Sequence, residues 1–388
     1  MKLVIVGGGV IGCAIAYMAT RRGWDTTLLE SGGIGAQGAT FYSGGLLRAF
    51  DPDAQLVGVA AHGIQAFRQW AELGLPGDCG FMQTGAFYFI APGRERAAES
   101  IAGDLMRSGY PVEFLPKKEV LSRFPAIRDG AWVAAIYEPW GGYGDVRQTA
   151  VSLAEGLGEK GHILTGQKVL GIRRVGDSGV VLETAGGKID ADRVVLAAGA
   201  GTAAILQASG IKLAEQQWLR ARSIGVPCFA IEEPRGVDFP FVGIDEVHET
   251  FLRPAGPNRY MVGANLDRWL DADELPPPLT VDHAEDARRR GAHTLDILRA
   301  ARWQGGVNGY DGYTENRRPI IGAVQDFPAL YLAMGFSGRG YKITLAIAAA
   351  IVSEFLGGKP DNQMEALCPH RVFDAYRVAP ITRAAMPS

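Results

Sequence analysis

The first thirty residues constrain this chain more than any other stretch. Leu3-Val4-Ile5-Val6 is a β-branched run without polar alternation, the pattern of a strand buried on both faces in a parallel sheet. Gly7-Gly8-Gly9-Val10-Ile11-Gly12 follows and fits G-x-G-x-x-G; an apolar helical stretch then runs to about Arg22, and Gly23 stops it. Thr26-Thr27-Leu28-Leu29 reads as a second strand, ending in Glu30. Each part has a physical job. Gly7 permits a tight turn, Gly9 lets a pyrophosphate approach the backbone, and Gly12 lets helix and strand pack closely. The N–H groups of the helix start, at Val10 and Ile11, hold phosphates. Glu30 lies 18 residues past Gly12, placed to accept hydrogen bonds from an adenosine ribose. The order describes a dinucleotide-binding unit, but the motif alone does not separate NAD from FAD.

The chain has 388 residues, more than the roughly 250–300 at which single cores stop growing, so two domains are expected. Its net charge of −3 leaves no basic field for a nucleic-acid backbone or an anionic membrane. Cys13, Cys79, Cys228 and Cys368 are scattered, with no CxxC and no histidine at ligand spacing, so neither a disulfide framework nor a metal site is expected. Lys2 followed by apolar residues imitates a secretory signal, yet three consecutive glycines would break the helix a signal needs. Elsewhere the longest apolar run is Leu345–Val352, far short of the ~20 residues of a membrane span. The expectation is a soluble cytoplasmic protein.

Two further glycine clusters favour FAD. The stretch Gly32-Gly33-Ile34-Gly35-Ala36-Gln37-Gly38-Ala39-Thr40-Phe41-Tyr42-Ser43-Gly44-Gly45-Leu46-Leu47-Arg48 directly follows Glu30, where an NAD unit would continue into another helix and strand. It reads as a long loop whose backbone runs beside a flat ligand. The stretch Tyr331–Lys342 leads into the apolar helical segment Ile343–Leu356, ended by Gly357-Gly358. Strand, glycine loop and helix start again make an anion-favouring site.

On these residues the sequence resembles the amino acid and amine oxidase family of FAD enzymes within the D-amino acid oxidase superfamily, the sarcosine oxidase and glycine oxidase group. Arg193-Val194-Val195-Leu196-Ala197-Ala198-Gly199-Ala200 resembles the family's inner strand and turn against the cofactor, and Gln167-Lys168-Val169 its edge strand beside the adenine. Arg318-Pro319-Ile320-Ile321-Gly322 resembles the R-P-x-x-G segment, and Gly335-Phe336-Ser337-Gly338-Arg339-Gly340-Tyr341-Lys342 the G-F-S-G-x-G-x-K of monomeric sarcosine oxidases. The resemblance implies an α/β fold: a Rossmann-type, glutathione-reductase-like FAD-binding domain from 1–75, 143–215 and 303–388, noncontiguous in sequence. Segments 76–142 and 216–302 would build a mixed-sheet α+β substrate domain, with Gly85–Ile90 and Arg259–Gly263 as strands. The FAD contacts it implies are Gly7, Gly9, Val10, Ile11, Gly12, Glu30, Ser31, Ala39, Thr40, Gly44, Gly45, Leu46, Val169, Ala198, Gly199, Gly338, Gly340, Tyr341 and Lys342.

The implied reaction oxidises the C–N bond of an amino acid or N-substituted amino acid by hydride transfer to flavin N5. The imine hydrolyses, and O2 becomes H2O2. Arg48 and Lys342 fall where the sarcosine oxidases hold the substrate carboxylate. Lys342 would sit in the first turn of a helix, where the dipole disfavours a cation, and that misfit itself points to a role in the site. Tyr313 and Phe251 resemble pocket walls, with core packing as the other reading. None of the six histidines stands where a base is required. Asp311 replaces the flavin-linking cysteine of sarcosine oxidases and Tyr42 the linking histidine of dimethylglycine dehydrogenases, so FAD is expected to be noncovalent. Met261 falls near the oxygen-activating lysine, and the glycine oxidase arginine is missing from Tyr310-Asp311-Gly312-Tyr313-Thr314. Two alternatives therefore stand beside an oxidase: a dehydrogenase passing electrons to a quinone or partner flavoprotein, and a noncatalytic FAD-binding subunit of a hetero-oligomer.

Overall fold

In the computed structural model, which describes residues 1–176, 179–212, 219–231, 240–270, 274 and 276–356, the N-terminal run is the strand Lys2–Val6. It lies inside a six-stranded sheet in the order Ile320–Val324, Phe327–Met334, Arg193–Leu196, Lys2–Val6, Asp25–Leu29, Gly161–Leu164. All neighbours are parallel except the outer pair Ile320–Val324 and Phe327–Met334. Leu3 and Ile5 point into one core, shared with residues of the helices Val10–Arg21, Ala54–Arg68 and Gly340–Ile351. Val4 and Val6 point into a second core, with Val169, Ile172, Val180 and Leu182 of an antiparallel three-stranded sheet. Burial on both faces is why this strand carries no polar alternation.

The helix Gly340–Ile351 is buried from Tyr341 to its end. Helices Val10–Arg21 and Ala54–Arg68 both pack on it, so an all-round apolar sequence suits it. The approach to Ala54–Arg68 is closest at Gly63, where a Cβ would stand 1.9 Å from the Lys342 carbonyl oxygen. Beyond Ile351 the backbone passes into a π-helical turn, Val352–Leu356. Gly357, Gly358, Cys368 and His370 lie outside the described residues.

The expected long loop after Glu30 contains a short helix, Gly38–Tyr42, and the strand Leu46–Leu47. The helix is fixed by Thr40, whose hydroxyl oxygen accepts the Val10 N–H at 3.0 Å, so the loop is tied to the glycine turn.

The second large sheet is mixed and eight-stranded. Its order is Arg302–Thr314, Leu219–Ala230, Arg259–Leu270, Thr250–Pro254, Val242–Asp245, Ala86–Ile90, Ala134–Glu138, Glu113–Pro116. Both strands expected for this sheet are in it. Arg302–Thr314, which from 303 on the sequence division groups with the Rossmann-type unit, hydrogen-bonds along Leu219–Ala230 in this sheet. A third core backs the sheet under the helices Lys117–Arg123 and Val281–Gly291, with Trp132, Phe87 and Phe229 at its centre. Among the described residues no helix is long and apolar enough to cross a membrane.

Two glycines of the helix Ala54–Arg68 separate packing from propensity. Gly58 is exposed and a Cβ there meets nothing within 4 Å, whereas a Cβ at Gly63 collides with backbone. Gly58→Ala is expected to stabilise by about 0.5–1 kcal/mol, and Gly63→Ala to destabilise by about 1–3 kcal/mol, measured by urea unfolding.

Candidate active site

The glycine turn is built by backbone contacts that leave no room for side chains. Gly7 has φ 113°, and a Cβ on it would stand 2.5 Å from the Ala197 carbonyl oxygen. At Gly12 a Cβ would be 1.9 Å from the carbonyl oxygen of Gly7, so the helix seats directly on the turn. The turn therefore lies against Ala198 and Gly199. Gly9 caps the helix Val10–Arg21 with no side chain of its own, and the first N–H of that helix, at Val10, is taken by the Thr40 hydroxyl at 3.0 Å. Glu30 is buried beside the turn. One carboxylate oxygen accepts the Gly8 N–H at 2.7 Å; the other accepts the Gly32 N–H at 2.7 Å and the Ser31 hydroxyl at 3.0 Å. The Glu30 carbonyl accepts the Gln167 N–H at 2.9 Å, which brings the start of the strand Val169–Val175 to the same place.

The other two clusters meet along the strands. Leu46 pairs with Tyr143, the Gly45 carbonyl accepts the Gly144 N–H at 2.9 Å, and Gly44 lies under the Phe251 ring. The Gly338 N–H donates to Asp311 at 2.5 Å, and the Gly312 N–H donates to its other oxygen at 2.7 Å. Burial pushes the Asp311 carboxyl up to about 6 against those two bonds. The Tyr313 hydroxyl sits beside Gly338; burial, then the Asp311 charge, push it up to about 12. Phe251 and Tyr313 therefore each touch one glycine loop. The Tyr341 side chain turns the other way: its hydroxyl pairs with Thr149 at 2.9 Å and its ring packs on Phe67. Any part it plays toward a cofactor belongs to its backbone.

Arg48 and Lys342, 294 positions apart in sequence, converge on Asp51. Lys342 Nζ is 2.8 Å from Asp51 Oδ2, Arg339 Nε 3.3 Å and Arg48 Nη1 3.8 Å, with Asp51 at 0% exposure and Lys342 at 3%. The three cations outweigh burial and hold the Asp51 carboxyl far below the usual range. Arg48 also donates to the Phe50 carbonyl and lies over the Tyr88 ring at 5.0 Å. The loop is held from behind by Glu138, 1% exposed, which accepts the Ala49 N–H at 2.6 Å, the Phe50 N–H at 2.9 Å and the Tyr110 hydroxyl at 2.9 Å. Arg318 grips Asp53 through two hydrogen bonds of 2.7 and 3.1 Å. The arginine of the R-P-x-x-G segment thus secures the N-cap of the helix Ala54–Arg68.

A Cβ-free turn seated on a helix start and a buried acid beside it suit the pyrophosphate and ribose of a dinucleotide. The two other glycine loops suit a flat ring. Residues 2–354 match the FAD dependent oxidoreductase family. The chain belongs to that family. A glycine oxidase of Geobacillus kaustophilus is 26% identical over 358 residues, covering 87% of this chain and 88% of the relative. A formaldehyde-forming 4-methylaminobutanoate oxidase of Paenarthrobacter nicotinovorans is 24% identical over 382 residues, covering 93% of this chain and 44% of the relative. In fold, the chain superimposes on the L-proline dehydrogenase of P. horikoshii with a TM-score of 0.79 at 20% identity, covering 96% and 98% of the two chains. This FAD-dependent oxidoreductase takes FAD as its cofactor.

Four residues escape a reading of motifs. Asp51 had one signal, a carboxylate ending the otherwise apolar stretch that carries Arg48. Arg339 fills the variable position of the third glycine motif. Glu138 and Arg253 had none. Arg253 stands directly across from Met261 and stacks over Tyr143 at 4.5 Å, so a cation does reach that part of the sheet from the adjoining strand. Among the described histidines, His248 bonds Asp245 at 2.8 Å and stacks on His293, and His283 caps a helix.

Gly12→Ala is expected to abolish bound flavin, read as visible absorbance per protein. Glu138→Ala strands two buried N–H groups and a tyrosine hydroxyl, an expected loss of about 3 kcal/mol or more in urea unfolding; Glu138→Gln, which keeps an acceptor, is expected to lose less.

Proposed function

We propose that this protein oxidises the C–N bond of an amino acid or N-substituted amino acid with noncovalently held FAD. The observation that carries this reading is the meeting of Arg48 and Lys342 in one buried cluster. Each follows a glycine loop by a few residues, Arg48 after Gly44-Gly45 and Lys342 after Gly340. FAD, when bound, would supply the two-electron acceptor, with N5 taking a hydride from Cα and O2 taking the two electrons and two protons as H2O2. The imine released hydrolyses in water. The chain's own part is to fix the carboxylate with Arg48 and Lys342, to wall the pocket with Tyr313 and Phe251, and to hold the amine so that Cα–H faces the ring.

Noncovalent attachment is supported by two side chains. The Asp311 carboxylate is engaged by backbone N–H groups, and Tyr42 packs against Gly309 and Tyr310. The eight-stranded sheet, from 76–142 and 216–302 with the strand Arg302–Thr314, is the cap of the substrate site in this reading. Secondary and N-methyl amino acids lead as substrates, since the 4-methylaminobutanoate oxidase carries a methylated amine in its name. The second reading is a dehydrogenase with a quinone or flavoprotein acceptor, favoured by the thioether of Met261 in place of a lysine.

The test is anaerobic bleaching of the flavin spectrum by sarcosine, other N-methyl amino acids, proline, glycine and the D- and L-amino acids. Bleaching by one class, with reoxidation by O2 within seconds, is expected. Reoxidation only by a quinone would select the dehydrogenase, and a flavin that nothing bleaches would overturn both. Arg48→Met is expected to raise KM by about 10- to 100-fold, the worth of a hydrogen bond to a charged group, with kcat changed less.

A further inference from the structure

We propose that Asp51 is the positioning residue of the carboxylate clamp, the carboxylate that holds Lys342 in place between two guanidinium groups. The inference rests on the clamp reading above and adds a residue to it.

The geometry divides the two oxygens of Asp51. Oδ1 accepts the N–H of Asp53 at 3.0 Å, while Oδ2 faces all three cations: Lys342 at 2.8 Å, Arg339 at 3.3 Å and Arg48 at 3.8 Å. The carboxylate cannot swing away, because the loop is fastened on both sides. Glu138 holds Ala49 and Phe50, and Arg318 holds Asp53. With Asp51 ionised, the cluster carries a surplus of two positive charges. Arg48 meets Asp51 only at ion-pair range, so its guanidinium is the group best placed to turn toward an incoming carboxylate.

Two buried cations, Arg48 and Lys342, and the partly buried Arg339 repel one another in a medium of low dielectric. Guanidinium groups do not release protons, so the relief falls on the lysine. Burial first, and then Arg48, bring Lys342 down to about 8, and Asp51 is the group that opposes them. The other groups facing the cluster change this little. Tyr88 lies on the Arg48 side, with Arg94 and Glu246 paired at 3.4 Å behind it, and Asp53 is engaged by Arg318. Removing the Asp51 charge therefore removes the proton from Lys342 at lower pH.

Sodium acetate, titrated into the FAD-loaded enzyme and followed by the flavin spectral shift across about pH 6 to 10, is the probe. In the wild type its affinity is expected to fall as pH rises through about 8, where Lys342 loses its proton. In Asp51→Asn the fall moves down by one pH unit or more, so affinity at pH 8 weakens by about fivefold. Lys342→Met should bind acetate weakly and without this pH dependence. Asp51→Asn/Lys342→Met should likewise show no such pH dependence, since Asp51 sets the pH profile through the lysine; the comparison also serves if Asp51→Asn alone folds poorly. An Asp51→Asn profile that superimposes on the wild type overturns the proposal, as does an Asp51 effect on the pH dependence that persists without Lys342. A wild-type holoenzyme that binds no acetate at any pH overturns the clamp itself and this inference with it. Wild-type binding with an unmoved Asp51→Asn profile overturns the inference alone.

Discussion

Everything at the cofactor end of the molecule rests on how closely the first helix approaches the first strand. A Cβ at Gly12 would stand 1.9 Å from the Gly7 carbonyl oxygen, and one at Gly7 2.5 Å from that of Ala197. Because the backbones touch, the helix start, the Glu30 carboxylate and the Ala198-Gly199 turn lie together. Parallel strands add the rest. Lys2–Val6, Asp25–Leu29 and Arg193–Leu196 run the same way, so the loops that leave them open at one edge of the sheet. Phe327–Met334 is parallel to Arg193–Leu196 and delivers the third glycine loop to the same edge.

Two buried carboxylates then shape the surroundings of Arg48 and Lys342. Glu138 comes from the eight-stranded sheet and takes the backbone N–H groups of Ala49 and Phe50, which fastens the chain between Arg48 and Asp51 to the other half of the molecule. Asp51 gathers Lys342, Arg339 and Arg48 from two distant glycine segments. Burying a charge costs far more than one side chain's packing returns unless a partner meets it. The cluster is consistent with that rule only as a group: no member is buried without an opposite charge beside it. Its positive surplus is what makes it suited to an anionic substrate.

Particular residues show where motif reading works and where it stops. The cradle was legible because a pyrophosphate against a backbone demands glycine at fixed spacing, and no other residue type meets that demand. The strand Ala86–Ile90 was legible from its apolar run, and Arg259–Gly263 marked the start of a strand that continues to Leu270. Tyr341 shows the limit: its place in the third motif says nothing about its side chain, which points into the core against Phe67 and Thr149. The loop after Glu30 shows another, since the one-turn helix Gly38–Tyr42 is tied down by a hydrogen bond that Thr40 accepts from the Val10 N–H, 30 positions away. Local propensity carries no trace of such a bond.

The sequence by itself determined the glycine turn and the resemblance to flavin oxidases, the resemblance that singles out the cations Arg48 and Lys342. Each of these depends on spacing within a short segment or on a residue type that the chemistry requires. Only the tertiary structure decided that both cations face Asp51, that Glu138 fastens their loop, and that Arg253 stands across from Met261. Those are contacts between side chains brought together by sheet register and helix packing. A charge has no periodicity to announce its partner, and its pairing is settled only when burial forces every ion to find one.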